Sequence, residues 1–296
     1  MSLDFFILGN PRSGTTLFRL MLNAHPLVTV PPECGFALWL SEAFGDWSLA
    51  SSEQEEQVDT VVDAVLGTRK FETWGVQKEA LRKGILTQRP ATWSALVRVV
   101  YQVYADRVSA TPHLLGDKNN YYISHIESLR RLAPQARFLH IVRDGRDVAC
   151  SYLEVTRSNI TSKYSPRLPA TIREIAFEWH RNVTGVLEVL PQDASDRVHH
   201  LRYEDLVRFP EASLVRVCAF LGIPFDKGML DYFERERTSE HASEPTEFLQ
   251  WKSRVVDPPT MDSVGRYIRD LSPSERQEFE EVAGSTLTAF GYPVTP

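Results

Sequence analysis

One short segment constrains the fold of this chain more than any other. Residues 4–9 (DFFILG) form a short apolar run that is typical of a buried strand and stops at a Gly-Asn-Pro turn. The sequence GNPRSGTT spans this turn, and residues 15–24 then place apolar side chains at helical spacing. A buried strand, a glycine-containing turn and an amphipathic helix in immediate succession predict an α/β fold with an anion-binding loop at its first turn.

The remaining strands and helices repeat this alternation along the chain. Short apolar runs predict further strands at residues 27–30, 113–116, 137–142 and 198–201. Helical spacing predicts helices at residues 52–65, 92–108, 122–132, 144–155, 172–190, 210–221 and from 273 to about 290, with capping boxes at Ser52 and Ser272. About five strands with helices between them predict a P-loop-type α/β fold, in which helices cover a parallel sheet on both faces in three layers.

The sequence shows no boundary between domains. No repeat, low-complexity tract or linker separates one part of the chain from another, so residues 1–296 are predicted to form a single domain. Residues 235–265 are polar and only weakly periodic. Because a loop of this length in a compact domain is usually a functional lid or a disordered segment, we expect a lid or loop at about 235–265.

Composition and charge exclude several kinds of protein. The chain carries 33 Lys+Arg against 39 Asp+Glu, and its net charge of −6 is not that of a general nucleic-acid binder, which needs a dense basic surface. No apolar run approaches the ~20 residues that a membrane span requires. The first residues lack the basic segment of a secretory signal, and three scattered cysteines form no disulfide or zinc framework. These features predict a cytoplasmic protein. The sequence carries no signal for its oligomeric state.

The residue types in the first turn suit the binding of a phosphate-like anion. Backbone N–H groups at the start of a helix lack intrahelical partners, and the helix dipole favours negative charge there. Gly14 allows the backbone to approach a phosphate closely, Thr15 and Thr16 add hydroxyl donors, and Arg12 adds a permanent cation. The simpler alternative is an ordinary glycine turn with a surface arginine, and the strand–turn–helix context speaks against it.

The loop differs from a nucleoside-triphosphatase loop at one decisive position. Its spacing imitates a Walker A motif, but Thr15 stands where that motif has its lysine. That lysine contacts the β- and γ-phosphates of a nucleotide, and the following Ser or Thr holds Mg²⁺. In this chain the cation is Arg12, inside the loop. The loop is therefore predicted to hold a phosphate-like group without the arrangement that a triphosphatase uses.

Three motifs together resemble a known family. PRSGTT follows the first strand, VRDGRDVACS covers residues 142–151, and SVGRY covers residues 263–267. They look like motifs of the sulfotransferases that use 3′-phosphoadenosine 5′-phosphosulfate (PAPS), and more narrowly of the bacterial and tyrosylprotein-type branch. The matches run from residue 4 to about residue 292. The resemblance implies transfer of a sulfuryl group from PAPS to a hydroxyl acceptor, with release of 3′-phosphoadenosine 5′-phosphate (PAP) and with no metal ion.

The resemblance also implies which residues bind the donor. Arg143 stands at the end of a predicted strand, where open α/β sheets bind their ligands, and with Ser151 it would hold the 3′-phosphate. The alternative is a structural ion pair of Arg143 with Asp144 or Asp147, while Arg146 is expected to face solvent as a partner of Asp147. The remaining candidates for donor binding are Arg12, Ser13, Gly14, Thr15 and Thr16 around the 5′-phosphosulfate, Tyr203 near the adenine or in the core, and Ser253 and Arg266 over the phosphates.

Glu33 and Lys118 are the predicted catalytic residues, together with Arg12. Sulfuryl transfer to an alcohol needs a base, and a carboxylate can serve if partial burial raises its pKa. The resemblance gives that role to Glu33 and gives Lys118 the task of stabilising the leaving group, where a fixed cation favours the transition state. Cytosolic members of the family have a catalytic histidine where this chain has Asn120, and this departure favours Glu33 as the base.

Two other functions remain open at this point, and so does the acceptor. A P-loop kinase would bind ATP with Mg²⁺, and the missing Walker lysine speaks against it. A protein that binds PAPS or PAP without catalysis would keep the fold and lose the chemistry. The acceptor is a hydroxyl-bearing compound, with a small molecule, a lipid or a sugar as the candidates; the acidic charge balance disfavours a polyanionic polysaccharide.

Overall fold

A computed structural model describes residues 2–48, 55–108, 113–158, 160–190, 196–237 and 244–294. Its centre is a sheet of five parallel strands, which confirms the predicted fold class. The strands are β1 (Phe5–Leu8), β2 (Val28–Thr29), β3 (Leu114–Lys118), β4 (Arg137–Val142) and β5 (Val198–Arg202), and they lie in the order β2-β3-β1-β4-β5.

Helices connect the strands and cover the sheet. Their bounds are α1 Thr15–Asn23, α2 Phe36–Trp39, α3 Ser41–Phe44, α4 Glu55–Leu66, α5 Lys78–Gln88, α6 Trp93–Val108, α7 Ile126–Leu132, α8 Gly145–Arg157, α9 Ile172–Val189, α10 Tyr203–Arg208, α11 Pro210–Leu221, α12 Tyr232–Arg237, α13 Tyr267–Asp270 and α14 Pro273–Ala289. No helix within the described ranges is long and apolar enough to cross a membrane.

The core lies on both faces of the sheet because successive side chains of each strand point to opposite sides. Phe6 of β1 belongs to a cluster with residues of α4, α5 and α6, whereas Phe5 and Ile7 belong to a second cluster with residues of α1 and α11. A third cluster, formed by residues of α8, α9 and α14, includes Trp179. Apolar residues at both even and odd positions of β1 therefore account for the three-layer architecture.

The strand order determines where a ligand can bind. The chain leaves β1 and builds β2 and β3 on one side, then crosses to the other side for β4 and β5. Ligands of open α/β sheets bind beyond the carboxyl ends of the strands at the point where the order reverses. In this chain that point lies beside β1, between β3 and β4, and the GNPRSGTT loop follows β1 directly.

One predicted helix begins later in the structure than the sequence indicated. The helix predicted at 122–132 begins only at Ile126, because the side chain of Asn119 accepts from the Tyr121 N–H and caps a separate 3₁₀ turn at Asn120–Ser124. The predicted capping box at Ser272 is present with Glu275, whereas the one at Ser52 lies outside the described residues.

The segment predicted as a lid or loop at 235–265 has short helical turns and buried side chains. After α12, 3₁₀ turns are present at Thr246–Phe248, Ser253–Val256 and Met261–Ser263. Glu244, Phe248 and Lys252 are buried, so this part of the chain packs on the domain rather than lying in solvent; residues 238–243 lie outside the described part.

Candidate active site

The loop between β1 and α1 has an unusual backbone conformation. Arg12 has a φ of 67° and Gly14 a φ of 90°, both in the left-handed region. A Cβ atom at Gly14 would lie 2.4 Å from Cδ2 of Tyr203, so only glycine fits there without movement of the tyrosine. Arg12 is not glycine, and its conformation stores strain that such residues keep mainly at functional positions.

One side chain of the loop has a buried polar atom without a partner among the described residues. The hydroxyl oxygen of Ser13 is buried and has no hydrogen-bond partner among the residues that the structure describes. The Thr15 hydroxyl donates to Oδ1 of Asn120 at 3.3 Å. An unpaired buried hydroxyl costs free energy unless a ligand or water pairs with it, so the loop fits an anion better than it fits an empty turn.

Arg143 lies beside the loop, where its charge acts on Asp147 without forming an ion pair. Its Nη1 donates to the Arg12 carbonyl at 3.1 Å, its Nη2 donates to the Ser263 carbonyl at 2.5 Å, and its guanidinium carbon lies 4.7 Å from the ring centre of Tyr203. Tyr203 in turn forms a hydrogen bond of 2.8 Å with the Ser263 hydroxyl. No carboxylate of the described residues bonds to Arg143, so the alternative of a structural ion pair with a neighbouring aspartate is wrong.

The two aspartates next to Arg143 have other partners. Asp144 pairs with Arg146, which is buried rather than facing solvent and which also pairs with Glu280. Asp147 accepts hydrogen bonds from the backbone N–H groups of Gly265 and Tyr267, at 2.7 and 3.0 Å. The expectation that Arg146 is a solvent-facing partner of Asp147 is therefore wrong, because Arg146 is buried against Asp144 and Asp147 accepts from backbone N–H groups instead.

Arg12 and Ser151 complete a cationic site with Arg143. Nε of Arg12 donates to the Ser151 hydroxyl at 3.0 Å. Burial, together with the nearby charge of Arg143, lowers the pKa of Arg12 to about 10. A half-buried guanidinium group (Arg12) and a buried one (Arg143) that repel one another are stabilised by an anion between them, and a phosphate accepts several such hydrogen bonds.

These groups face a cavity of about 680 Å³, a volume within the usual range for small-molecule sites. Most of the predicted site residues line it: Arg12, Gly14, Thr15, Thr16, Arg143, Ser151, Tyr203, Ser253 and Arg266. Arg266 is ion-paired with Glu154 and Asp270 at 2.8 and 2.7 Å, and Ser253 is exposed at the cavity wall. The structure therefore brings the sequence-predicted donor residues to one place.

Glu33 and Lys118 meet at the other side of Thr16. Lys118, the last residue of β3, donates to the Thr16 hydroxyl at 3.2 Å and forms an ion pair with Glu33, which follows β2. Both side chains are buried. Lys70 adds a second ammonium group 2.9 Å from the Glu33 carboxylate, and Nζ of Lys252 lies 3.8 Å from the same carboxylate. One carboxylate thus faces three lysines.

The pKa of Glu33 is shifted in the direction opposite to the prediction. Burial raises the pKa of this carboxyl, but the charges of Lys118, Lys252 and Lys70 outweigh burial and hold it well below its usual range. Burial lowers the pKa of Lys118 to about 8, although Glu33 opposes that shift. Glu33 is therefore ionised at neutral pH, but while the three ammonium groups face it this carboxylate is a weaker base than one of ordinary pKa.

Sequence reasoning missed four residues of this site. They are Arg19, Lys70, Glu244 and Lys252, and all four are charged side chains in or next to the cluster around Glu33. Lys252 lies directly before Ser253, which the sequence analysis named. The only signal in the sequence for Lys252 and Glu244 was their charge within the weakly periodic segment 235–265. Within the described ranges, no group of three or more His, Cys, Asp or Glu side chains is placed to hold a metal ion.

A family model decides the identity of the fold and the loop. The model described as "Sulfotransferase family" matches residues 4–227, which include the loop, Glu33, Lys118 and the Arg143 motif. The chain belongs to the sulfotransferase family. The sequence-based resemblance is confirmed by this match.

Individual members of the family are distant relatives of this sulfotransferase. A protein-tyrosine sulfotransferase of Drosophila melanogaster is 23% identical over 292 residues, which cover 97% of this chain and 51% of the fly protein. This chain therefore spans about half the length of that relative.

Solved sulfotransferase structures share the fold. The sulfotransferase domain from the curacin biosynthetic pathway superposes with a TM-score of 0.62 at 22% identity, over 100% of this chain and 99% of that domain. A mouse sulfotransferase complexed with PAP superposes with a TM-score of 0.53 at 15% identity, over 98% of this chain and 89% of the mouse chain. At these identities the likeness shows the fold alone.

Proposed function

We propose that this sulfotransferase transfers the sulfuryl group of PAPS to a hydroxyl group of an acceptor and releases PAP. The observation that carries the proposal is the arrangement of one cavity. An anion-binding loop with Arg12, Arg143 and Ser151 borders it, and the ion pair of Glu33 with Lys118 lies directly behind Thr16. Two anion sites and a buried carboxylate in this order suit a donor with two phosphate positions and a transferable group.

The residues of the cavity fit the donor in charge and in hydrogen bonding. Ser13, between the cavity-lining Arg12 and Gly14, has a buried hydroxyl oxygen without a partner among the described residues. Nε of Arg143, which lines the cavity, is another buried donor without a partner there. The loop supplies backbone N–H groups at the N-terminus of α1. The mouse protein of the same fold is complexed with PAP, which makes the 3′-phosphoadenosine donor the first candidate.

Each donor group is assigned to a set of residues. Ser13, Gly14, Thr15 and Thr16 would hold the 5′-phosphosulfate through backbone and hydroxyl donors. Arg143 and Ser151 would hold the 3′-phosphate, with Tyr203 beside the nucleoside. Arg12 borders both groups, since its backbone belongs to the loop and its guanidinium contacts Ser151. Ser253 and Arg266 would close the cavity wall over the donor.

Glu33 and Lys118 would carry out the transfer step. Glu33 accepts the proton of the acceptor hydroxyl, while the acceptor oxygen bonds to sulfur and the bond from sulfur to the 5′-phosphate oxygen breaks. The electron pair of the broken bond stays on that phosphate oxygen. Lys118 stands between Thr16 and Glu33, where its positive charge favours the transition state over the ground state.

Calorimetric titration with PAP, and with ATP in the presence and absence of Mg²⁺, tests the proposal. We expect PAP to bind without a metal ion and Arg143→Ala to weaken PAP binding about 100-fold, because two hydrogen bonds to a charged group are lost. Arg137→Ala, which removes a guanidinium at the start of β4, is the matched control. Binding of ATP alone, and only with Mg²⁺, would replace the proposal with the kinase alternative.

The acceptor and the location of the protein are the finer parts of the proposal. The fly relative is a protein-tyrosine sulfotransferase, so a phenolic hydroxyl belongs in the first acceptor screen, beside sugar, lipid and small-molecule alcohols. PAP binding with no transfer from PAPS to any of these would favour the non-catalytic alternative. The cytoplasmic location stays a prediction, which cell fractionation tests.

A further inference from the structure

We propose that Lys252 binds the sulfuryl group of the donor, as a second ammonium group opposite Lys118. This inference rests on the proposed function, since it assigns a residue to a group that only a sulfuryl donor carries. It concerns a side chain from the segment after residue 244, which lies far in sequence from the loop, from Glu33 and from Lys118.

Lys252 lies where the donor cavity meets the catalytic ion pair. It lines the cavity together with Thr16, and its Nζ is 3.8 Å from Oε1 of Glu33. Lys118 pairs with the same oxygen of Glu33 and also contacts the Thr16 hydroxyl. An acceptor hydroxyl that gives its proton to Glu33 would therefore meet sulfur between these two ammonium groups.

A network of buried charges holds Lys252 in this position. Its Nζ donates to Oε1 of Glu244 at 2.8 Å, and Oε2 of Glu244 pairs with Nη2 of Arg19 at 2.5 Å. The Arg19 and Glu244 side chains are only 1% and 2% exposed. Arg19 also donates to the carbonyl of Val30, three residues before Glu33. The pair of Arg19 and Glu244 thus ties the Lys252 segment to the chain that carries Glu33.

An aromatic side chain fixes the same lysine from another side. The ring centre of Phe248, which is fully buried, lies 5.0 Å from Nζ of Lys252 and 5.1 Å from Nζ of Lys70. Ammonium groups at this distance are attracted by the face of an aromatic ring. Lys252 is therefore oriented by three different contacts before any donor binds, which reduces the entropy cost of using it.

A purely structural role for Lys252 explains less of the geometry. Neutralising Glu244 does not require Lys252, because Nη2 of Arg19 already lies 2.5 Å from Oε2 of Glu244. A structural lysine would also have no reason to line the cavity or to share Glu33 with two other lysines. The sulfuryl group carries negative charge on its oxygens, and a third cation at Glu33 matches that charge.

The affinities for PAPS and PAP, which differ only in the sulfuryl group, test the proposal without any acceptor. Both ligands are titrated by calorimetry into the full chain and its variants, and PAPS is checked for hydrolysis after each run. We expect Lys252→Met to weaken PAPS binding about tenfold or more while PAP binding changes less than about twofold, because one hydrogen bond to a charged group is lost. Lys252→Arg keeps a cation and should retain most of the affinity for PAPS.

Two further variants keep the test decisive. Lys78→Met removes an ion-paired lysine of α5 outside the site and should change neither affinity. Glu244→Gln weakens the contact that holds Lys252 and should therefore reduce PAPS affinity, but by less than Lys252→Met does. This variant keeps the proposal testable if Lys252→Met does not fold. Equal weakening of PAPS and PAP by Lys252→Met, or no change in PAPS binding, would overturn the role. Failure of the unmodified protein to bind either ligand would instead overturn the proposed function.

Discussion

At the end of the cavity nearest the phosphate loop, the anion-binding groups come from short contiguous motifs, whereas around Glu33 the charged groups come from distant parts of the chain. Gly14, Arg143 and Ser151 belong to two motifs that each follow a strand of the sheet. Lys70 and Lys252, in contrast, contact Glu33 although they lie 37 (70 − 33) and 219 (252 − 33) residues after it in the sequence.

The two ends also handle charge differently. The loop end uses guanidinium groups, hydroxyls and backbone N–H groups, which hold charges that are always present on a nucleotide. The Glu33 end uses a carboxylate and ammonium groups in direct contact, where protons can move and charge can develop. Binding of the donor and transfer of its sulfuryl group should therefore respond to different changes, and the following experiments separate them.

Replacement of Glu33 should have the largest effect and should act on one end only. We expect Glu33→Gln to lower turnover of PAPS by roughly 10²–10⁴-fold, because the general base is lost. PAP affinity should change by less than about threefold, since the loop end keeps all its donors. Quenched time-course assays of sulfuryl transfer measure the turnover, and calorimetric titration measures the PAP affinity. Glu127→Gln, on the exposed face of α7, is the control. Unchanged turnover would remove Glu33 from the role of base.

Replacement of Gly14 should disturb the opposite end. We expect Gly14→Ala to lower the free energy of unfolding by about 1–3 kcal/mol and to weaken PAP binding, because the left-handed backbone and the Tyr203 ring leave no space for a Cβ atom. Gly185→Ala is the matched control, since no atom lies near the new Cβ and α9 would gain a better helix former. Chemical denaturation measures both variants. Equal stability of the two would contradict the strained loop.

A change of pH should have the smallest effect of these experiments, and it should still distinguish the two ends of the cavity. Burial lowers the pKa of Lys118 to about 8, so this ammonium group loses its charge at lower pH than an ordinary lysine. We expect the rate of transfer to fall up to about tenfold per pH unit above pH 8, because the neutral amine no longer stabilises the leaving group. No fall should come from Glu33 between about pH 5 and 7, since its pKa lies well below its usual range and it stays ionised.

PAP binding provides the comparison for that pH profile. The pKa of Arg12 is lowered only to about 10, so the loop end should keep its charge and its affinity for PAP between about pH 7 and 9. Lys118→Arg should shift the alkaline fall in transfer rate to higher pH, because a guanidinium stays charged. A parallel fall of PAP affinity and transfer rate over this range would show that the two ends are not independent.

The loop end could be predicted from the sequence because its geometry is local. A strand, a glycine turn and a helix place Gly14, Thr15 and Thr16 without reference to the rest of the chain. The five parallel strands followed from the same kind of local pattern, and the structure confirms them. Glu33 and Lys118 were named through the resemblance, and the structure places them in contact.

The Glu33 end could be predicted only in part because its electrostatics depend on long-range contacts. Burial alone suggested a raised pKa for Glu33, and the opposite direction arises from the charges of Lys118, Lys252 and Lys70. No spacing in the sequence links the last two of these lysines to Glu33. Glu244 and Lys252 lie in a segment with weak periodicity that was predicted only as a lid or loop, and that prediction did not indicate that their side chains are buried. Buried ion pairs between distant residues leave no local pattern.

The segment that carries Lys252 touches both ends of the cavity. Lys252 lies beside Glu33, and eleven residues later (263 − 252) Ser263 bonds to Arg143 and Tyr203 through its carbonyl and hydroxyl. Because this segment lines the cavity from Lys252 to Arg266, release of PAP from the proposed site would disturb its contacts, and product release of this kind often limits turnover. We therefore expect a rapid burst of the first sulfated product before a slower steady state. Rates measured over many cycles would then report the departure of PAP rather than the chemistry at Glu33.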